Sequence, residues 1–469
     1  MKKFFTAATA MVVAFAALAA APSQAADPVQ PEIRLLTPTL DDSNSWNGQE
    51  EANGWIANGW FPEGLTYRQT WAPIGSKIIF TYLVTNAETG APIPNQSVNL
   101  RVNKAWSIAN AVVKVNGSSP TNGIERWTGA DQLKVSVKTD ANGIAVFVME
   151  DMGPGFAYGE PEPASLTDRG APFDENSGGD PLISYYTQVM PEIMGEITDI
   201  TDITEVHFYQ PDASPSFDKS VVTARMTTPV LSETTAVNRA DLENEFTVQN
   251  SWYPVGTRVF QKYEPVGKTT NLVFSVVDNA GKWLMDSDVS LSANKAYSNS
   301  NASVTDGTTA NNPALTDQDQ ARWNGVTDAF GTAYFKLTNT DTTGITKPTN
   351  MTDPMPEENK LFSQLYLNVD GAVSNVADIV ELFFYTVPKK AQTMKNPAAA
   401  VKVKKTVTLP AKSVQGVTLK WSTTTKSICK VVKNKVTGVK PGKCKVKATN
   451  TGNTDYLPFT ISKLITVKK

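Results

Sequence analysis

Apolar and polar side chains alternate through most of this chain, the mark of strands with one face in a core. Val98, Leu100 and Val102 alternate with Asn99, Arg101 and Asn103. Further on, Val289, Leu291 and Ala293 alternate in the same phase with Ser290, Ser292 and Asn294. Ile78, Phe80, Tyr82 and Val84 predict another strand, matched by Leu272, Phe274 and Val276. Turn signals follow both: Ala87-Glu88-Thr89-Gly90 and Asp278-Asn279-Ala280-Gly281. Helical periodicity is hard to find. Half-apolar strands in this number predict an all-β fold, with antiparallel sheets packed face to face.

The pattern is also repeated. Thr139-Asp140-Ala141-Asn142-Gly143-Ile144-Ala145-Val146-Phe147 returns as Thr327-Asp328-Ala329-Phe330-Gly331-Thr332-Ala333-Tyr334-Phe335. In each, a glycine able to take positive φ leads into a strand with Ala and Phe on one face. Thr37-Pro38 answers to Thr228-Pro229, Trp60-Phe61-Pro62 to Trp252-Tyr253-Pro254, and Arg126-Trp127 to Arg322-Trp323. Residues 26–211 and 223–388 therefore read as two copies of one module, joined by a linker at 212–222. A second linker at 389–400 leads to a different unit, 401–469. Two excursions, Glu150 to Pro181 and Asn339 to Glu358, are rich in Pro, Gly, Asp and Thr. They read as projecting loops suited to recognition.

These residues carry a resemblance. The Thr-Asp-x-x-Gly-x-Ala turn, with Pro92-x-Pro94-x-x-Ser97-Val98-x-Leu100 before it, resembles the bacterial immunoglobulin-like domain of the invasin/intimin type over about 80 residues of each copy. Val436-x-Gly438, Gly442 and Val446 are similar to the second group of such domains over about 60 residues. The resemblance implies tandem Ig-like β-sandwiches used for spacing or display, without invasin's receptor binding.

Charge changes the picture more than composition does. Residues 389–469 hold 19 Lys, no Arg and one acid, Asp455, a net of +18. The whole chain stands at −3 and its first 25 residues add two lysines, so residues 26–388 carry −23. Those first residues, with Lys2 and Lys3, an apolar run and Ser23-Gln24-Ala25, read as a secretory signal peptide. No other stretch predicts a membrane span. In an exported chain the two cysteines, Cys429 and Cys444, are expected to pair.

Catalytic chemistry finds little support. The lone histidine, His207, is answered by Phe383 in the second copy, so packing is the expected role. Glu205 and Glu381 match, and read as solvated strand-end carboxylates. Asp174, Asn176 and Asp180, and the Asp199/Asp202/Glu205 series, offer oxygen ligands for calcium, although plain solvated acids are the better reading and no other cofactor is expected. Trp60, Trp252, Trp127 and Trp323 are candidates for stacking on sugars, against core filling. Lys420, Lys430, Lys433, Lys435, Lys440, Lys443, Lys445 and Lys447 are candidates for an anionic partner. Nucleic acid is set aside, because Arg and aromatic interleaving are missing from the basic region.

The sequence thus predicts a secreted or cell-surface, non-enzymatic structural or adhesive protein. Its basic module is expected to hold an anionic envelope polymer or the acidic body of a neighbouring copy. The competing expectation is a carbohydrate-binding protein using the tryptophans.

Overall fold

The computed structural model describes residues 31–103, 113–118, 132–152, 160–161, 163–167, 186–193, 202–294, 302–305, 314–315, 320–355, 361–453 and 455–469. The signal peptide read from the sequence, Trp127, the Asp174 to Asp180 series, Asp199 and most of the first excursion lie outside them. The fold is all-β, in three successive two-layer units.

In the first unit one sheet runs β1 (Pro31–Thr37), β4 (Lys77–Asn86), β8 (Ile144–Asp151), β6 (Val113–Val115). The facing sheet runs β2 (Trp46–Asn47), β3 (Thr66–Pro73), β11 (Asp202–Gln210), β10 (Tyr186–Ile193), β5 (Ser97–Asn103), β7 (Gln132–Lys138), with β9 (Glu160–Pro161) beside β11. Ile78, Phe80, Tyr82, Val98, Leu100 and Phe147 meet between them, fully buried, in the phase the alternation predicts.

The second unit repeats this path. It runs β17 (Ala302–Thr305), β20 (Thr332–Asn339), β15 (Thr269–Val277), β12 (Val221–Thr228) on one side. The other side runs β22 (Ser374–Tyr385), β21 (Phe362–Val369), β16 (Asp288–Asn294), β19 (Gln320–Val326), β18 (Ala314–Leu315). β14 (Arg258–Pro265) pairs with β22 and with β13 (Val237–Asn238). The long β22 joins both sides, because its first residues pair with β12. Thr37–Pro38 and Thr228–Pro229 are both cis, at the same point of the repeat.

Two features depart from the sequence reading. The sheets are not purely antiparallel: β11 runs parallel to β3 and β22 parallel to β14 over eight residues each. A crossover connection is therefore needed, and the strands between the parallel partners, β4 to β10 and β15 to β21, supply it. A helix also appears, α1 (Gln49–Ala57), matched in the second copy by α2 (Ala240–Asn244) and a π turn at Glu245–Gln249. α1 buries only Ala52 and has no side-chain cap, so no amphipathic stripe marked it. It packs over Leu65, Tyr67, Met190 and Ile203 on the outer face of the β3–β11–β10 sheet.

The third unit faces β23 (Ala400–Lys402), β29 (Phe459–Lys468), β28 (Gly442–Asn450), β25 (Lys420–Thr423) against β24 (Thr406–Thr408), β27 (Lys435–Gly438), β26 (Cys429–Val432). Cys429 and Cys444 are bonded across the two layers, Cα atoms 5.8 Å apart, inside a core of Val401, Leu409, Val436, Val446, Ile465 and Val467. Closing a loop of this size restricts the unfolded chain by roughly 3 kcal/mol. Trp421 packs on that core, its Nε1 donating to the Pro410 carbonyl at 2.7 Å.

Candidate functional site

The acids singled out in the repeat are internal ties. Glu205 and Glu381 are buried, not solvated, because the sheet face that carries them is itself covered. Gln69 Nε2 donates to Glu205 at 2.6 Å and Gln188 Nε2 at 3.4 Å; Gln261 and Gln364 hold Glu381 at 2.8 and 3.1 Å. A buried carboxylate that accepts from two amide donors is fixed in place within its sheet. His207 sits at 2.9 Å from Glu205, sandwiched by the rings of Trp71 and Tyr186. In the second copy Tyr263, Phe383 and Phe362 form the same stack without the imidazole.

Of the calcium candidates, Asp202 fares likewise. One Asp202 oxygen accepts the Leu35 N–H at 3.0 Å and the other the Thr66 hydroxyl. Its counterpart Asp378 is gripped by Arg258 in bidentate fashion, by Arg225, and by the Met226 N–H at 2.9 Å. Both aspartates pin the unit's first strand to the opposite sheet. Among the described residues no group of three or more His, Cys, Asp or Glu side chains converges as a metal site.

The second excursion folds inward. Ile345 and Met355 are buried against Tyr263 and Phe383, and Gln261 accepts the Met355 N–H at 3.1 Å. Over its described residues it is a lid on the sheet, contrary to the projecting loop expected.

The turn motif that defines the repeat does something the sequence did not disclose. Asp140 accepts Asn142 N and Ile144 N in its own turn, at 2.8 and 3.1 Å. Its second oxygen crosses to the other module and accepts Asn271 N and Nδ2, at 2.8 and 3.1 Å. Asp328 does the same in reverse, holding Phe330 N and Thr332 N in its turn and Ile79 N of the first module at 2.7 Å. In the gapless Trp71/Tyr263 match, Ile79 and Asn271 are one position, so the two modules meet through equivalent surfaces about a pseudo-dyad. Ile79, Ile144, Val146 and Val273 fill the contact, and Phe330 packs into the first module's core.

Burial beside this contact pushes Glu264 up to about 7; nearby Lys262 and the Asn142 amide at 2.8 Å work the other way, and Asp140 adds to the rise. Desolvation also raises Asp328 to about 7 and Asp140 to about 6, against their N–H donors. A carboxyl whose folded value lies above its unfolded one stabilises fully below about 4.5 and loses that contribution as pH climbs toward 7. The full-length protein should therefore melt at a higher temperature at pH 5 than at pH 8. Glu264→Gln should remove on the order of 2–3 kcal/mol of that difference. An unchanged pH profile in this variant would show that Glu264 is ionised in the fold throughout.

A cleft of about 890 Å³ lies where the three units meet, lined by Asn95, Asn116, Lys138, Lys268, Lys336 and Tyr385 among others. Among the described residues that line it, the two carboxylates are engaged: Asp140 as above, and Asp455 by Lys268, across the junction with the third unit. These residues therefore offer no facing pair of free acids for general acid–base work.

The candidate tryptophans separate. Trp323 is 2% exposed and belongs to the second core. Trp60 and Trp252, at matching positions, are each 65% exposed, with Trp55 and Phe61 near the first and Phe246 beside the second.

The candidate lysines are all exposed, and among the described residues no ion pair joins a lysine of 389–469 to an acid. Register divides them. Lys443, Lys445 and Lys447 on β28 face away from the core, opposite Thr466, Leu464 and Ser462 of β29. Lys420, and two lysines the sequence reading omitted, Lys402 and Lys468, share that surface. Lys430 and Lys435 lie on the outer face of the other sheet, with Lys433 in the turn between their strands and Lys440 in a loop. Alternation of Val401 with Lys402 and of Val467 with Lys468 could have found the omitted pair.

No family model matches the chain, and no curated protein matches it. Solved structures do. A C-terminal fragment of intimin, in complex with the intimin-binding domain of its translocated receptor, is 14% identical over 44% of this chain and 61% of that one, with a TM-score of 0.16. The Escherichia coli adhesin FdeC is 12% identical over 92% of this chain and 99% of that one, with a TM-score of 0.17. Domains 4–9 of the surface-layer protein SbsC are 11% identical over 85% and 48%, with a TM-score of 0.25. The chain thus spans about three fifths of the intimin fragment and half of the SbsC fragment.

Proposed function

We propose that this is a non-enzymatic structural or adhesive protein of the cell surface, attached by its basic third unit to an anionic polymer of the envelope. The observation that carries the reading is the state of the lysines: exposed, without acidic partners among the described residues, and borne by a unit whose one acid is already held by Lys268. Ammonium groups in this state gain by displacing counterions from a polyanion. The acidic body, with Glu205, Glu381, Asp202 and Asp378 drawn into internal ties, supplies spacing and display. Full-length protein should be retained on isolated cell walls at low salt and released steeply as salt rises. Retention indifferent to salt would defeat the reading.

A second reading has its own observation, the matched exposure of Trp60 and Trp252. Exposed indoles stack on sugar rings, and two on one chain favour a repeating glycan. Salt-resistant retention on a neutral polysaccharide, lost in Trp60→Ala/Trp252→Ala, would support it. Equal retention of that double variant would remove it.

A further inference from the structure

We infer that the polymer is read by one face only, the outer surface of β23–β29–β28–β25, and that it is a linear chain of regularly spaced phosphodiesters, of the polyol-phosphate kind, lying along β28. The inference rests on the attachment reading above.

Lys443, Lys445 and Lys447 alternate along one strand, so their stems leave the sheet about 6.6 Å apart. Lys420 flanks this row on one side, Lys402 and Lys468 on the other. The ground between them is hydroxyl-bearing: Ser422, Thr449, Ser462 and Thr466 occupy positions of the same face. Lys443 Nζ already donates to Thr466 Oγ1 at 3.1 Å, which leaves that hydroxyl's proton free to point outward. Leu464, 61% exposed, stands opposite Lys445 in the middle of the face and offers an apolar contact to a polyol's carbons. No acid interrupts the surface.

Such a face is an open sheet surface and not an enclosure for a small anion. It has a line of point charges whose period matches a polymer with one charge per short repeat. Lysine suits this task, since a compact ammonium accepts any phosphate oxygen without demanding the fork geometry of arginine. The opposite sheet does not repeat the arrangement: Lys430 and Lys435 share their face with Thr406, Thr408, Thr437 and Val432. A neighbouring copy is the poorer occupant, because the body's acids are irregularly placed and several are taken, Asp378 by two arginines and Glu192 by Arg101 and Lys134.

The test uses full-length protein and two charge-matched triple variants, Lys443→Glu/Lys445→Glu/Lys447→Glu and Lys430→Glu/Lys433→Glu/Lys435→Glu. The probes are immobilised polyglycerol phosphate and, in parallel, polygalacturonate; melting temperature checks folding, and the matching Lys→Gln triples replace any variant that fails it. The β28 triple should weaken polyglycerol-phosphate binding about 100-fold and lower the slope of log affinity against log salt by roughly 2–3, with the other triple changing it less than about 5-fold. Equal losses in both triples would overturn the face assignment and leave attachment by net charge standing. Tighter binding of wild type to polygalacturonate would overturn the phosphodiester assignment. Retention by neither polymer nor cell walls, with concentration-dependent self-association instead, would overturn both this inference and the attachment reading.

Discussion

Gly331→Ala should destabilise the second module by about 3–4 kcal/mol, lowering its melting temperature by roughly 10 °C. The residue sits at φ +65°, and an added Cβ would stand 2.4 Å from the Val276 carbonyl oxygen and 3.0 Å from Leu284 N, both backbone atoms. Val276 cannot retreat without straining its N–H bond to the Gly331 carbonyl, nor Leu284 without straining its N–H bond to the Val276 carbonyl. The matched Gly143 meets the Val84 oxygen at 2.5 Å and predicts the same cost in the first module. Gly281→Ala is the control. It shares the positive φ, at +81°, but has nothing within 4 Å, so about 1 kcal/mol is expected. Thermal melts of the full-length variants decide; equal effects at Gly331 and Gly281 would mean that conformation alone, not close approach, explains the glycine.

Asp328→Ala should cost about 3–5 kcal/mol and also change the form of unfolding. The carboxylate is buried and is the acceptor for Phe330 N, Thr332 N and Ile79 N, so truncation strands three N–H groups in a dry contact. Two of them hold the turn and the third holds the other module. Losing the third should split one cooperative transition into two, visible as a biphasic denaturant curve followed by tryptophan emission. Asp140→Ala should do the same from the opposite side through Asn271. A single transition in both variants would place the coupling in the apolar contacts of Ile79, Ile144, Val146 and Val273 instead.

Strand phase was legible because period-two alternation is a local signal: Ile78 through Val84 point where the sequence says. The repeat was legible for the same reason, one residue at a time. What depends on a distant covering surface was not. Nothing near Glu205 or Glu381 in the sequence says that a helix or an excursion lies over them, and a carboxylate in a strand reads as solvated until its lid is known. Trp60 and Trp323 posed the same problem with opposite outcomes, since an indole fills a core or faces water depending on elements far along the chain. The lysines were visible as a sum but not as faces, because the side a strand presents follows from its register with a partner. The pseudo-dyad was out of reach altogether: Asp140 and Asp328 read as turn residues, and their second oxygens had no partner in sight.

The pairing of first and last strands has a mechanical consequence. In the second module β12 runs parallel to β22 through Val221–Ala224 and Ser374–Ala377, and in the third β23 runs parallel to β29. Where entry and exit strands are neighbours pointing the same way, the chain enters at one end of the domain and leaves at the other. Tension between those ends therefore loads the interstrand bonds side by side, in shear, and they must yield together instead of opening singly like a zip.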